Sequence, residues 1–278
     1  MQTSDQFNTL KISFIGGGNM ARALISGLVD QGFEAKLINV IESDAEKRAK
    51  LRSDFGVNVT EQLPSVSSSD VIVLAVKPQQ LRDVSIFLGS LLKQQLLISI
   101  AAGVRIQDLS RWLGGYPSIV RVMPNTPAQI QRGVSALYAT PNVSELQRQQ
   151  ATSMLNAVGH TLWLESEDKM DAVTAISGSG PAYVFYLIEA MQDAATALGF
   201  SQEQAKALSL QTFAGASQLA IQSEYTAEEL RHQVTSKGGT TERAIQSMEA
   251  AEIKRIILEA AKAAANRSKE LGDMLGSD

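Results

Sequence analysis

Chemistry in this chain is most legible in three glycine-rich turns. The first, Gly16-Gly17-Gly18-Asn19-Met20-Ala21, has the Gly-x-Gly-x-x-Ala spacing of a loop that cradles a dinucleotide pyrophosphate. Gly16 permits the tight turn, Gly18 lets the backbone approach the anion, and Ala21 keeps helix and strand close. The helix N-terminus that follows offers free N–H groups, so Ile15, Gly16, Gly18, Asn19 and Met20 are expected around the cofactor. The other two turns are Ser177-Gly178-Ser179-Gly180-Pro181-Ala182-Tyr183 and Thr235-Ser236-Lys237-Gly238-Gly239-Thr240-Thr241. Each is read as a helix start with N–H groups and hydroxyls suited to a small carboxylate. Alone, either is more simply an ordinary capped turn that needs no ligand; their company with a dinucleotide loop shifts the balance toward one.

These turns need elements to hold them. The apolar run Lys11–Ile15 precedes the first, and Met20, Leu24, Ile25 and Leu28 repeat at helical spacing after it. From residue 10 to 164, β-type runs (Lys11–Ile15, Lys36–Ile41, Val71–Val76, Leu96–Ile100, Ser118–Met123, Val134–Tyr138, Thr161–Leu164) alternate with helical stretches. The helical stretches are Met20–Gln31, Ala45–Phe55, Gln79–Leu92, Ile106–Leu113 and Ser144–Val158. This alternation predicts an α/β domain with a parallel, doubly wound sheet and ligands at the carboxyl ends of its strands.

The segments after the strands are therefore candidate site segments. Glu42 follows the second run and suits a ribose hydroxyl, which favours NAD, but Lys47 and Arg48 lie near enough to meet a 2′-phosphate. Cofactor choice stays open on these residues. In Ala75-Val76-Lys77-Pro78 the proline ends the strand and places Lys77 at the crevice. Ser99-Ile100-Ala101-Ala102-Gly103 leaves room for a flat ring, and Met123-Pro124-Asn125-Thr126-Pro127 is a stiff loop carrying an amide and a hydroxyl.

Beyond Glu165 the pattern is helical and Ala-rich: Lys169–Ile176, Pro181–Leu198, Gln202–Gln222, Ala227–Gln233, Thr240–Met248 and Ala251–Leu271. The domain boundary is expected near Leu164, giving residues 1–164 and 165–278. The helix from Pro181 is apolar on nearly every side (Tyr183, Val184, Phe185, Leu187, Ile188, Met191), which calls for a second copy of the domain to bury it.

Composition narrows the classes. A net charge of −4 gives no basic footprint for nucleic acid, and no apolar run reaches membrane-spanning length. With no cysteine, disulfides, thiolate catalysis and thiolate metal sites are excluded, and two histidines far apart in sequence exclude a histidine-rich metal centre. Met1–Thr9 lacks the pattern of an export signal, so a cytoplasmic location is expected.

The six segments Phe14–Ala21, Ala75–Pro78, Ser99–Val104, Met123–Pro127, Ser177–Tyr183 and Gly238–Thr241, in this order, resemble the pyrroline-5-carboxylate reductase family nearly end to end. The resemblance implies a Rossmann-like N-terminal domain and an all-α C-terminal dimerisation domain that interlocks two chains, often as a ring of dimers, a decamer. It implies reduction of 1-pyrroline-5-carboxylate to L-proline with NADPH or NADH. By the same resemblance Ala101, Ala102 and Asn125 lie near the nicotinamide; Ala75, Val76, Lys77 and Pro78, at the strand end beside the glycine loop, are assigned to the cofactor's ribose–phosphate side. Ser236, Gly238, Gly239, Thr240 and Thr241 hold the substrate carboxylate, with Thr241 reaching the ring nitrogen. Two departures stand out: Lys237 occupies a position where many members have proline, and Glu42 one where NADP-preferring relatives often lack an acid. Two other readings compete. One is another reductase of the β-hydroxyacid dehydrogenase or imine-reductase type, for which Lys169 is the candidate lysine although it reads more simply as a surface charge; the other is a nucleotide-responsive binding protein without chemistry.

Overall fold

The computed structural model describes residues 7–277. The reading of Met1–Thr9 therefore falls mostly outside the described residues. The sheet is built from β1 (Ile12–Ile15), β2 (Ile38–Ile41), β3 (Asn58–Thr60), β4 (Val71–Leu74), β5 (Leu96–Ser99), β6 (Ile119–Met123), β7 (Gly133–Ala139) and β8 (Gly159–Trp163). Its helices are α1 (Asn19–Asp30), α2 (Ala45–Phe55), α3 (Pro78–Gly89), α4 (Ile106–Trp112) and α5 (Glu145–Asn156). The strand order is β3-β2-β1-β4-β5-β6-β7-β8. Every residue of β1, β4 and β5 is buried, because apolar layers cover both faces. Phe14, Val73 and Ile98 pack on one face with Ile25 and Leu28; Ile15, Ile72 and Leu97 pack on the other with Leu81 and Leu109.

Three expectations for this region are corrected. The sheet is mixed: β7 runs antiparallel to β6, and β8 is parallel to β7. The link from Met123 to Gly133, built around a 3-10 turn at Thr126–Ile130, is shorter than the dozen or so residues of a parallel crossover, so the chain doubles back. A short edge strand, β3, was not expected; its three residues are too few to show a period. Val76 and Ile100 lie beyond the ends of β4 and β5, where the chain already turns into the crevice segments.

The helical part comprises α6 (Met170–Val173), a π-turn at Thr174–Gly178, α7 (Gly180–Ala197), α8 (Gln202–Gln222), α9 (Ala227–Gln233), α10 (Thr240–Ala250) and α11 (Ile253–Gly276). Contacts divide the chain into two compact units. One runs up to Ser179 and includes the chain from Ala264 onward; the other is Gly180–Ala263. This division differs from the break expected at Leu164, because the segment before α7 and the end of α11 pack with the sheet. In the second unit α7, α9 and α10 bury no residue fully, and α8 buries Ala205 and Ser209 alone. Phe185 is 64% exposed and Tyr186 71% exposed, so the apolar faces of α7 are uncovered in the single chain. No described helix is long and apolar enough to cross a membrane.

Candidate active site

The first glycine turn is assembled by three strands. The Gly16 N–H donates to the Ile41 carbonyl at 2.8 Å, fixing the loop to the end of β2. Gly16 has φ +101°, and a Cβ there would sit 2.7 Å from the Ala75 carbonyl oxygen. Only glycine lets the loop lie against the Ala75–Pro78 turn, so two of the expected cofactor segments form one surface. Gly18 is the N-cap of α1; no side chain caps it, and a Cβ there would meet nothing within 4 Å. The first N–H groups of α1 thus lack intrahelical acceptors beside open space. An uncapped helix start with room in front of it fits a pyrophosphate.

At the end of β2, Glu42 is turned toward this loop. Its Oε2 accepts from the Gly17 N–H at 3.0 Å and its Oε1 from the Asp44 N–H at 3.0 Å. The nearby cations are already engaged. Arg48 donates to the Glu42 and Ser43 carbonyls at 2.6 and 2.7 Å, and Lys47 stands 3.9 Å from Asp44. Asp44 caps α2, and the N–H groups of Lys47 and Glu46 hold its carboxyl below the usual aspartate range.

The other strand ends contribute a mixed set. Lys77 is exposed as the N-cap of α3, with Pro78 in the first turn. Ala101 is buried and Ala102 exposed in the turn after β5. Asn125 is 91% buried, and its side chain acts as a strut: Nδ2 donates to the Ser177 carbonyl at 3.1 Å, and Oδ1 accepts from the Val134 N–H at 2.9 Å. Its amide secures the loop after β6 to β7 and to the π-turn.

In the second unit the turn Ser236–Thr241 leads into α10. Gly239 is the N-cap, again without a capping side chain. Its N–H donates to the Ser236 carbonyl at 3.0 Å, which closes the turn. The N–H groups of Thr240 and Thr241 lie in the first turn of α10, where a helix supplies no acceptor. The Glu242 carboxylate accepts from the Gly238 N–H at 2.7 Å, a contact the sequence reading missed. Its signal was present: an acid three residues after the N-cap commonly reaches back to the turn. Thr241 is half-buried, while Ser236, Lys237 and Thr240 are exposed.

The Ser177–Tyr183 segment behaves differently from expectation. It is no open turn: the Ser179 N–H donates to the Thr174 carbonyl at 2.8 Å, and the Ser177 hydroxyl to the Val173 carbonyl at 3.1 Å. The π-turn keeps these groups inside the helical ladder. Lys169, the lysine of the competing dehydrogenase reading, is an exposed side chain 3.9 Å from Glu165.

Comparison with known proteins shows which proteins the chain is similar to. The family model described as "Pyrroline-5-carboxylate reductase dimerisation" matches residues 167–271, and one described as "NADP oxidoreductase coenzyme F420-dependent" matches residues 11–103. The chain is 48% identical to the pyrroline-5-carboxylate reductase of Pseudomonas aeruginosa, covering 97% of this chain and 99% of that one. A solved pyrroline-5-carboxylate reductase from Coxiella burnetii superposes with a TM-score of 0.90 at 41% identity, covering 95% of this chain and 98% of that one. The Plasmodium falciparum pyrroline carboxylate reductase, solved with NADP bound, gives a TM-score of 0.85 at 30% identity, with 95% and 99% covered.

Proposed function

The chain belongs to the pyrroline-5-carboxylate reductase family, and from that premise we propose how its residues carry the family's reaction. The activity is that of an NAD(P)-dependent oxidoreductase that reduces 1-pyrroline-5-carboxylate to L-proline, the final step of proline biosynthesis. The observation that carries the residue assignment is shared by two helices. α1 and α10 both start at a glycine with no capping side chain, one in each unit. One anion is the cofactor pyrophosphate and the other the substrate carboxylate.

In this reading Ile15, Gly16, Gly18, Asn19 and Met20 hold the pyrophosphate, and Ala75–Pro78 flanks the ribose–phosphate side. Ala101 and Ala102 wall the nicotinamide, and Asn125 keeps the neighbouring loop in place. The dinucleotide, when bound, supplies the reducing equivalents as hydride. Ser236, Gly238, Gly239, Thr240 and Thr241 hold the substrate carboxylate through N–H groups and hydroxyls. Glu242 then exchanges its Gly238 contact with the incoming anion or shares the turn with it. Thr241 hydrogen-bonds the imine nitrogen; a hydroxyl is a weak acid at neutral pH, so it orients the ring and relays a proton from water. Positioning is the larger part of the catalysis, since the reaction needs donor and acceptor carbons held at near-attack distance.

The cofactor is NADPH or NADH; NADP is the dinucleotide named for a solved relative and in the description of the matching family model, which supports the phosphorylated form. Glu42, already turned toward the loop, keeps NADH usable. The helical domain, proposed over residues 165–278 beside a cofactor domain over 1–164, pairs two chains through α7, whose exposed apolar faces support that role. A ring of dimers, a decamer, implied by the family resemblance, and a cytoplasmic location complete the reading. The test follows absorbance at 340 nm: loss of NADPH with pyrroline-5-carboxylate and, separately, formation of NADPH from NADP+ with a panel of hydroxyacids. Turnover with the imine alone is expected; turnover with a hydroxyacid, or none with either, overturns the assignment.

A further inference from the structure

The turn Ala101–Arg105, between β5 and α4, is supported from behind by the last two turns of α11. A Cβ on Gly103, at φ +78°, would face Leu275 at 3.5 Å and Leu271 at 3.7 Å. From the other side, a Cβ on Gly272 would lie 3.0 Å from the Gly103 carbonyl oxygen and 3.4 Å from Arg105 Nε. Helix and turn are thus in backbone contact through two glycines. Glycine is a poor choice inside a helix, and this close approach explains it at position 272.

Charged contacts fix the same turn at its far end. Arg105 pairs with Asp273 at 2.7 Å, and Arg111 on α4 donates to the Gly276 carbonyl at 2.7 Å. The Ile106 N–H, first of α4, donates to Glu167 at 2.8 Å, and Glu167 is paired at 2.7 Å with the buried Arg121 of β6. None of these groups has a part in the reaction as described above.

We infer that the end of α11 is a positioning element for the turn Ala101–Arg105, with Gly272 and Asp273 as its positioning residues. The inference rests on the reading that Ala101 and Ala102 wall the nicotinamide. Moving the turn by a few tenths of an ångström shifts that wall while leaving the loop Gly16–Ala21 in place. The expected signature is a split: weaker turnover and an altered nicotinamide environment, with nearly unchanged cofactor affinity.

Three variants test it in the full-length protein: Gly272→Ala, Asp273→Asn, and Ala102→Val as a marker of the nicotinamide wall. The readouts are hydrogen exchange of the amides of residues 102–106 without ligand, fluorescence emission and affinity of bound NADPH, and kcat. For Gly272→Ala and Asp273→Asn, exchange at 102–106 rises selectively and the bound emission changes. NADPH affinity stays within about twofold, while kcat falls about 3- to 30-fold, the scale of a small misplacement in the site. Ala102→Val alters emission and kcat without altering exchange. If Ala102→Val alters emission but the two α11 variants match wild type, the positioning role is overturned and the cofactor reading stands. If Ala102→Val is also silent, the reading of the turn as the nicotinamide wall falls, and the inference with it. A uniform rise in exchange across the sheet unit would show plain destabilisation and overturn the role. Should Gly272→Ala fail to fold, Asp273→Asn, which keeps the glycine contact, decides the question alone.

Discussion

The two uncapped glycine turns have opposite surroundings. Gly16 and Gly17 are buried between strands whose side chains fill two apolar layers. Ser236–Thr241 belongs to a unit in which α7, α9 and α10 bury nothing fully. A loop set in a packed sheet has its shape fixed by one chain. A turn on helices with open apolar faces needs further covering before its geometry is rigid. Cofactor binding should therefore be a property of the single chain, and turnover a property of the assembly.

Four substitutions probe that contrast. The largest effect is expected at Gly18, where a Cβ meets only open space, so Gly18→Val folds and blocks the anion. Its affinity for NADPH should drop about a hundredfold or more, as when two hydrogen bonds to a charged group are lost at about 1.5–3 kcal/mol each. Fluorescence titration reads this; retained affinity would sink the loop's role. Thr241→Ala should cut kcat by roughly tenfold to a thousandfold with NADPH affinity intact, as for loss of a proton-transfer or orienting group. Loss of cofactor affinity in that variant would blur the two turns into one site.

Phe185→Glu addresses the covering. It places a charge on the exposed face of α7 and should shift light scattering toward the monomer, weakening association by about 2 kcal/mol or more, as expected for an aromatic anchor. Turnover should fall with protein concentration while NADPH still binds. A dimer of unchanged stability would remove α7 from the interface. The smallest effect is expected for Glu42→Gln, which removes the charge that repels a 2′-phosphate. The ratio of kcat/KM for NADPH over NADH should rise about 3- to 30-fold, in the range of one charged contact. An unchanged ratio would reduce Glu42 to a brace for the Gly17 N–H.

The same contrast governs what could be read from the chain. α2, α8 and α9 begin where expected, because Asp44, Ser201 and Thr226 cap their N-termini and capping is a local property. The glycine loop was legible for the same reason: its strand, turn and helix are contiguous. The reversal of β7 was missed because strand direction depends on the length of the link after Met123, which the apolar pattern does not report. The return of α11 to the sheet was missed as well. Gly272 and Asp273 look like ordinary helix residues until Gly103 and Arg105 are seen against them. Arg121 left a fainter trace, a cation inside the apolar run Ile119–Met123, whose partner Glu167 lies far along the chain. Asn125 was expected beside the cofactor, and its structural duty between Ser177 and Val134 was not visible from its neighbours.

The most direct test is a crystal structure of the protein with NADP+ and L-proline together. The account predicts the dinucleotide phosphates on the N–H groups at the start of α1. It predicts the proline carboxylate on the turn Ser236–Thr241, the Thr241 hydroxyl on the ring nitrogen, and C5 facing the nicotinamide. A proline carboxylate bound away from that turn, or a ring out of reach of the nicotinamide, would contradict it.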